Sequence, residues 1–426
     1  MAQLFPSRAF RRTRERASGL LFALGVDDLS PVLTTGQTLA LVRASGRTVF
    51  DSVGRVSTIA HEQYAWSSVY NSEDGVWEPT LDLQAASTNL CLRSEDFGTA
   101  WSAAGTPTRT AAAFRCGDLV LDLIGDDAAG AVEGYQQVIT FTGNGVKAVS
   151  LFVRKGSSAT SALRLQDTTA TADRLLCAVT WSGDVPVVTM TTGTFVGAVP
   201  CYGGVYRLLF QTAASLTAAN TNVLSLYPGA SVALANATTG SLYAGGVQVE
   251  NFGTPTAYIK TLGATVARRK DILTSAIAFA PQTLTVYCRT VNYAGINAPL
   301  FWLGTGGGPG AVDVRRFGNL LRISVTDGAN VTQTVDVAMP TTSVLEFAAQ
   351  FTALTTAPAG RIDTGSGFSA STTAGTGFAV WFANSLWFGT GSAPPTDDTS
   401  SLNSGIRKLI IAPGARTLAE MRGLNV

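Results

Sequence analysis

Charge is what this sequence has least of. Asp, Glu, Lys and Arg make up 14% of the 426 residues, against about 25% in ordinary soluble domains. The two signs nearly cancel, 30 basic against 29 acidic, leaving a net charge of +1. A chain so balanced has no overall field to gather a polyanion, which argues against nucleic acid as a partner. Histidine occurs once, at His61. A zinc site built on several histidines is therefore excluded, and any Ser-His-Asp or Cys-His chemistry would rest on that one residue. No Gly-x-Ser-x-Gly elbow accompanies it. The five cysteines, Cys91, Cys116, Cys177, Cys201 and Cys288, form no Cys-x-x-Cys pair and sit mostly beside apolar residues. That spacing predicts buried free thiols in a reducing compartment rather than a metal cluster. No apolar run is long enough to cross a bilayer. The stretch 20–26 is too short for a secretion signal and follows several arginines. The glycine-rich stretch 304–310 lacks the Lys-Ser/Thr ending of a phosphate loop and reads as a hairpin loop.

Glycine, threonine, serine and alanine fill the space that charge leaves, while aliphatic and aromatic residues run along the whole chain. Their spacing has period two. Val149, Leu151 and Val153 alternate with Ser150, Phe152 and Arg154; Leu163 and Leu165 alternate with Arg164 and Gln166; Leu321, Ile323 and Val325 alternate with Arg322, Ser324 and Thr326. Such runs are strands with one face on a core. Turn residues separate them and no helical period intervenes, which predicts an all-β chain of two antiparallel β-sandwiches of the jelly-roll type. The expected divisions are an N-terminal arm over 1–35 and a small β connector over 36–85. A first sandwich over 86–262, a linker over 263–270 and a second sandwich over 271–426 follow. Thr417 and Glu420 have capping-box spacing ahead of a short final helix.

The chemistry-bearing residues are few. Asp126-Asp127, Glu95-Asp96 and Asp397-Asp398 are adjacent acids, and neighbours on a strand point to opposite faces, so none is by itself a hydrolytic pair. Glu95 and Asp96 are candidate ligands for a structural calcium, the only cofactor the sequence suggests. Trp66, Tyr70 and Trp77 lie in a polar stretch and Tyr202 stands beside Gly203-Gly204, which makes them the candidate sugar-stacking aromatics. The arm concentrates Arg8, Arg11, Arg12, Arg14 and Arg16 with Phe5 and Phe10, a composition suited to docking on another protein.

Two segments bracket the first sandwich. The opening one contains Thr88-Asn89-Leu90-Cys91 and Ser94-Glu95-Asp96-Phe97, closed by Trp101; the other contains Gly246-Val247-Gln248-Val249-Glu250 and Thr256-Ala257-Tyr258-Ile259. Together with Val42-Arg43-Ala44-Ser45, Gly54-Arg55-Val56, Asp74-Gly75-Val76-Trp77 and Leu81-Asp82-Leu83, residues from about 40 to 271 resemble phage virion proteins of the tail-fibre and head-fibre type. The resemblance implies a carbohydrate-binding-module-like jelly roll in a virion appendage or decoration protein. The C-terminal part resembles a laminin-G or concanavalin-like sandwich. The expectation is a non-enzymatic structural protein, assembled into the virion in the host cytoplasm. Its implied partners are capsid or tail proteins, two further copies of itself in a homotrimer, and a host surface glycan. A glycan depolymerase and a secreted bacterial lectin or adhesin are the alternatives.

Overall fold

The computed structural model describes residues 22–25, 39–42, 46–60, 66–71, 74–84, 86–234, 239–269, 271–276, 284–291, 299–304, 311–317, 320–326, 332–338, 344–352, 359–364, 385–388, 404–413 and 416–422. Almost every element among them is a strand, and every ladder is antiparallel. The fold class is all-β, two antiparallel sandwiches, as the alternation predicts.

The first sandwich stacks two six-stranded sheets. One runs Val185–Thr192, Ala172–Ser182, Thr160–Asp167, Asn222–Pro228, Gly134–Ile139, Ser102–Ala104; the other runs Thr194–Pro200, Val205–Gln211, Ala148–Lys155, Gly240–Glu250, Leu119–Asp126, Thr108–Cys116. Leu163, Leu165, Cys177, Leu224 and Leu226 of the first sheet meet Val149, Leu151, Val153, Leu208 and Phe210 of the second in one buried core. Each such side chain contributes about 1.5–3 kcal/mol on burial. Ala148–Lys155 is buried on both faces. Its Phe152 points away from the main core into a second cluster with Phe50, Val56, Leu119, Leu121, Val205 and Tyr258. That cluster covers the outside of the sheet with the hairpin Arg47–Phe50 and Val56–Ile59.

The second sandwich is drawn from both ends of the chain. One sheet runs Ala359–Asp363, Val344–Thr352, Leu284–Val291, Ser404–Pro413, Val76–Leu83, Trp66–Asn71, with Phe22–Gly25 also paired to Ser404–Pro413. The other runs Leu39–Val42, Ile272–Ala276, Ser385–Phe388, Pro299–Gly304, Ala311–Phe317, Leu320–Thr326, Thr332–Ala338. Described parts of the spans expected as an arm (1–35) and a connector (36–85) pair into this sandwich. Phe22–Gly25, Leu39–Val42, Trp66–Asn71 and Val76–Leu83 are strands of the second sandwich, and the first sandwich is an insertion within it. Period-two alternation shows that a strand has a buried face but does not name the strand it pairs with. The final helix Leu418–Arg422 packs Leu418 and Met421 on Tyr287, Ala348 and Ile410. It opens with the expected capping box: the Thr417 amide donates to Glu420 Oε2 (2.7 Å) and the Glu420 amide to Thr417 Oγ1 (3.3 Å).

The insertion enters and leaves through one doorway. Ser87–Asn89 pairs with Val266–Arg268, and the Asp271 amide donates to the Gln84 carbonyl at 3.0 Å. The expected linker over 263–270 thus contains a paired strand. Its Arg268 is buried and donates to the Ala257 carbonyl at 2.9 Å. Burial, then the nearby Arg47, lowers the Arg268 guanidinium to about 10. Arg47 is the hub of this doorway. Its Nη1 reaches Asp271 Oδ2 at 2.6 Å and the Asp82 carbonyl at 3.0 Å, and its Nη2 pairs with the Asp82 carboxylate. On the neighbouring residue, Thr48 Oγ1 donates to the Tyr258 carbonyl at 2.6 Å. The hairpin thus touches both sandwiches.

Candidate functional site

The two bracketing segments meet as a polar lock. Asn89 Nδ2 donates to the carbonyls of Val247 (3.0 Å) and Ile259 (2.8 Å), and its Oδ1 accepts from the amides of Cys91 (3.0 Å) and Val249 (3.1 Å). One fully buried amide therefore satisfies four backbone groups, which would otherwise cost about 1–3 kcal/mol each. Ser94 Oγ and the Tyr258 hydroxyl share a 2.6 Å hydrogen bond, and Glu250 accepts from the Thr256 amide (3.0 Å) and from Ser87. These residues are scaffold rather than a ligand cradle, because their polar atoms are occupied within the chain.

Glu95 and Asp96 belong to the same lock. Glu95 accepts from Lys260 Nζ at 2.6 Å and from the Tyr258 hydroxyl at 3.0 Å. Asp96 accepts from Arg109 at 2.5 Å and from the Gly98 amide at 2.8 Å. Cations of the chain stand where calcium would, so the donor set does not fit the metal expected of these two residues. Asp126 and Glu133 brace a turn: Asp126 accepts from the Ala128 and Glu133 amides, and Glu133 from the Thr106 and Asp127 amides. Desolvation raises the Asp126 carboxyl, while the Thr106 hydroxyl and amide lower that of Glu133. All five cysteines are free thiols, four of them buried. Burial pushes their thiols up, Cys177 to about 12, so they are poor nucleophiles at neutral pH.

Three of the four sugar-stacking candidates gather around the hairpin turn. The Trp77 ring lies 5.1 Å from Phe50 and 5.7 Å from Tyr70. It also covers Gly54, where φ is +78° and an added Cβ would fall 2.7 Å from the indole. Trp77 and Tyr70, expected as sugar platforms, are half-buried in this packing. Trp66 is placed only by its register opposite Leu81, and its side chain lies outside the described residues. Tyr202 is different. It is 41% exposed, and the Arg55 guanidinium stacks over its ring at 4.1 Å. Its amide donates to the Gly54 carbonyl at 3.2 Å, tying the first sandwich to the hairpin turn. The next residue, Gly203, has φ +73°, and an added Cβ would fall 2.7 Å from Phe114. The Gly203 carbonyl accepts from Arg154 Nε at 3.0 Å, and the Arg154 guanidinium lies 4.4 Å from the Phe114 ring and 4.9 Å from the Tyr243 ring. Sequence reasoning missed Arg55, Arg154, Phe114 and Tyr243, since nothing in their spacing marks them as neighbours. The signal within reach was the Tyr-Gly-Gly turn itself.

The docking candidates Phe5, Arg8, Phe10, Arg11, Arg12, Arg14 and Arg16 lie outside the described residues, as do His61, Asp397 and Asp398. Among the described residues no group of His, Cys, Asp and Glu is arranged to hold a metal, and no helix is long and apolar enough to cross a membrane.

No family model matches the sequence, and no curated protein does. Among solved structures the chain is similar to the mouse laminin alpha1 chain, domains LG4-5, at 10% identity and a TM-score of 0.24, covering 74% of this chain and 92% of that one. It is also similar to the LG1-3 region of the laminin alpha2 chain, at 10% identity and a TM-score of 0.25, covering 67% of this chain and 65% of that one. Superpositions at that level carry no argument. The architecture rests on the hydrogen-bond ladders of the chain itself.

Proposed function

We propose that this chain is a non-catalytic structural protein of a phage virion, a fibre, spike or decoration subunit. Its N-terminal residues dock to the particle and its sandwiches present a glycan-binding surface. The observation that carries the reading is the single doorway. A sandwich assembled from both ends of the chain holds a second sandwich by two adjacent strands, and the buried Arg47–Asp82–Asp271 cluster fixes the joint. That is a construction for rigid display. The resemblance of the bracketing segments to virion proteins supports the same reading. So does the use of Glu95, Asp96 and Glu133 as structural acceptors. A homotrimer, with neighbouring virion proteins as further partners, multiplies shallow glycan contacts by effective concentration.

The test is incorporation. Particles assembled with a chain lacking residues 1–20 are expected to lose this subunit while the truncated chain keeps its melting temperature; full incorporation would overturn the docking claim. Release of reducing ends from host capsule or lipopolysaccharide by the purified chain would replace the structural reading with the depolymerase. Secretion of the native chain from a bacterium would favour the lectin.

A further inference from the structure

We propose that the turn Tyr202–Gly204, with the two guanidinium groups that flank it, is a recognition site for an anionic saccharide. The recognised unit is a sugar ring carrying a carboxylate or phosphate. The inference rests on the glycan-binding reading and names the class of sugar it takes.

With so little charge available, most cations of the first sandwich have a carboxylate at hand. Arg93 is paired with Asp96, Arg109 with Asp96 and Asp122, Arg164 with Asp173, and Arg174 with Asp167. Arg207 is buried and donates to Ser150 and to the Thr256 carbonyl. Arg154 departs from this pattern. Among the described residues its contacts are one carbonyl, of Gly203, and two aromatic rings, Phe114 and Tyr243. Among the described residues Arg55 is held by Tyr202, through its ring and a side-chain hydrogen bond that raises the guanidinium, and its one nearby carboxylate is Asp51 at 3.9 Å, whose Oδ1 already accepts from the Val53 and Arg55 amides at 2.9 Å. The Arg55 side chain is 48% exposed.

A guanidinium stacked on a ring is held in place through its face, and its N–H groups point outward in its own plane. The charge is therefore positioned in advance, and binding an anion costs little further ordering. Carboxylate and phosphate are the groups that match that fork with two parallel hydrogen bonds. Tyr202 supplies the neighbouring apolar surface, since its exposed part suits the C–H groups of a pyranose ring. The turn also leaves room. A Cβ added at Gly204 would meet nothing within 4 Å, so a ligand can approach the backbone there. Gly203, pressed against Phe114, fixes the turn and with it the acceptor that aims Arg154. One turn thus orients both cations and one exposed ring.

The experiment is calorimetric titration of the full chain with three probes: an oligogalacturonate, the same oligomer fully methyl-esterified, and a phosphorylated mannan fragment. Binding of the oligogalacturonate or the phosphomannan, at least about tenfold tighter than of the methyl ester, is the expected result. Which of the two binds assigns carboxylate or phosphate. Arg154→Gln and Arg55→Gln are each expected to weaken the anionic probe about tenfold. Tyr202→Ala, at an exposed side chain, is a further variant that leaves the core intact and is expected to weaken binding as well. Equal affinity for acid and ester, or unchanged affinity in both arginine variants with unaltered melting temperatures, would overturn the inference. Neutral glycans bound equally by wild type and variants would overturn the anionic site while leaving the glycan-binding reading standing. Absence of binding to all three probes would also overturn the site. If a broad panel of neutral glycans then bound no better, the glycan-binding reading would fall with it.

Discussion

At the scale of single residues, the chain places its few polar groups where each does several jobs. Asn89→Ala removes the shared partner of four buried backbone groups. It is expected to cost about 3 kcal/mol or more in urea unfolding. Asp271→Ala leaves the buried Arg47 with half its counter-charge; breaking a buried pair costs about 3–5 kcal/mol. Asp313 provides a test by pH. It is buried in the strand Ala311–Phe317 opposite Trp302, and its Oδ1 has no hydrogen-bond partner among the described residues. Burial raises its carboxyl from 3.8 to about 6, against the opposing effect of Arg315. Between those values the folded chain holds a proton that the unfolded chain has released. Stability from this group is therefore present below about pH 4 and lost as pH rises through about 6, on the order of 3 kcal/mol in all. Asp313→Asn removes the titration. Its stability relative to wild type is expected to climb across that window and then level off, and a constant difference from pH 3 to pH 8 would refute the assignment.

At the scale of elements, the N-terminal strand separates two roles that a sequence reading merges. Phe22–Gly25 pairs with Ser404–Pro413, from Phe22 opposite Ile411 to Gly25 opposite Lys408. Deletion of residues 1–35 removes that strand and is expected to lower the melting temperature by about 1–2 °C, which is what a loss of about 1–2 kcal/mol produces in a chain of this size. Deletion of residues 1–20 spares the strand and is expected not to lower it. Equal melting temperatures in the two truncations would show that the strand contributes nothing. The same contrast shows what the sequence makes legible. Strands such as Thr160–Asp167 and Leu320–Thr326 were readable because one face of each meets a core, and Ala148–Lys155 because its apolar residues alternate, although both of its faces are buried. So was the Thr417–Glu420 cap, a local hydrogen-bond pattern. The partners of Phe22–Gly25 and Leu39–Val42 were not, because pairing across hundreds of residues leaves no local periodicity. Arg268 read as linker because charge usually marks solvent, whereas here a carbonyl and a buried cluster receive it. Tyr202 was legible through its glycines, but the two arginines around it come from a hairpin turn and a strand far apart in sequence.

At the scale of the whole molecule, one sandwich is inserted into another. Replacing residues 86–269 with a short Gly-Ser linker is expected to leave the outer sandwich folded. Gln84 and Asp271 already lie within hydrogen-bonding distance, so the loop to be closed is short and its entropic cost small. The hairpin Arg47–Phe50 and Val56–Ile59 would lose the apolar cluster that covers it. Faster amide hydrogen exchange is expected across residues 47–59 and unchanged exchange in Leu284–Val291; collapse of protection throughout would show that the outer sandwich depends on the insert. The paired entry and exit strands have a wider consequence. Their antiparallel ends form a standard socket, so the inner sandwich is a cassette. A foreign sandwich whose terminal strands pair in the same way could be grafted there, leaving Phe22–Gly25 and the outer sheets untouched. The inner sandwich can then be exchanged without changing the pairing of the outer one.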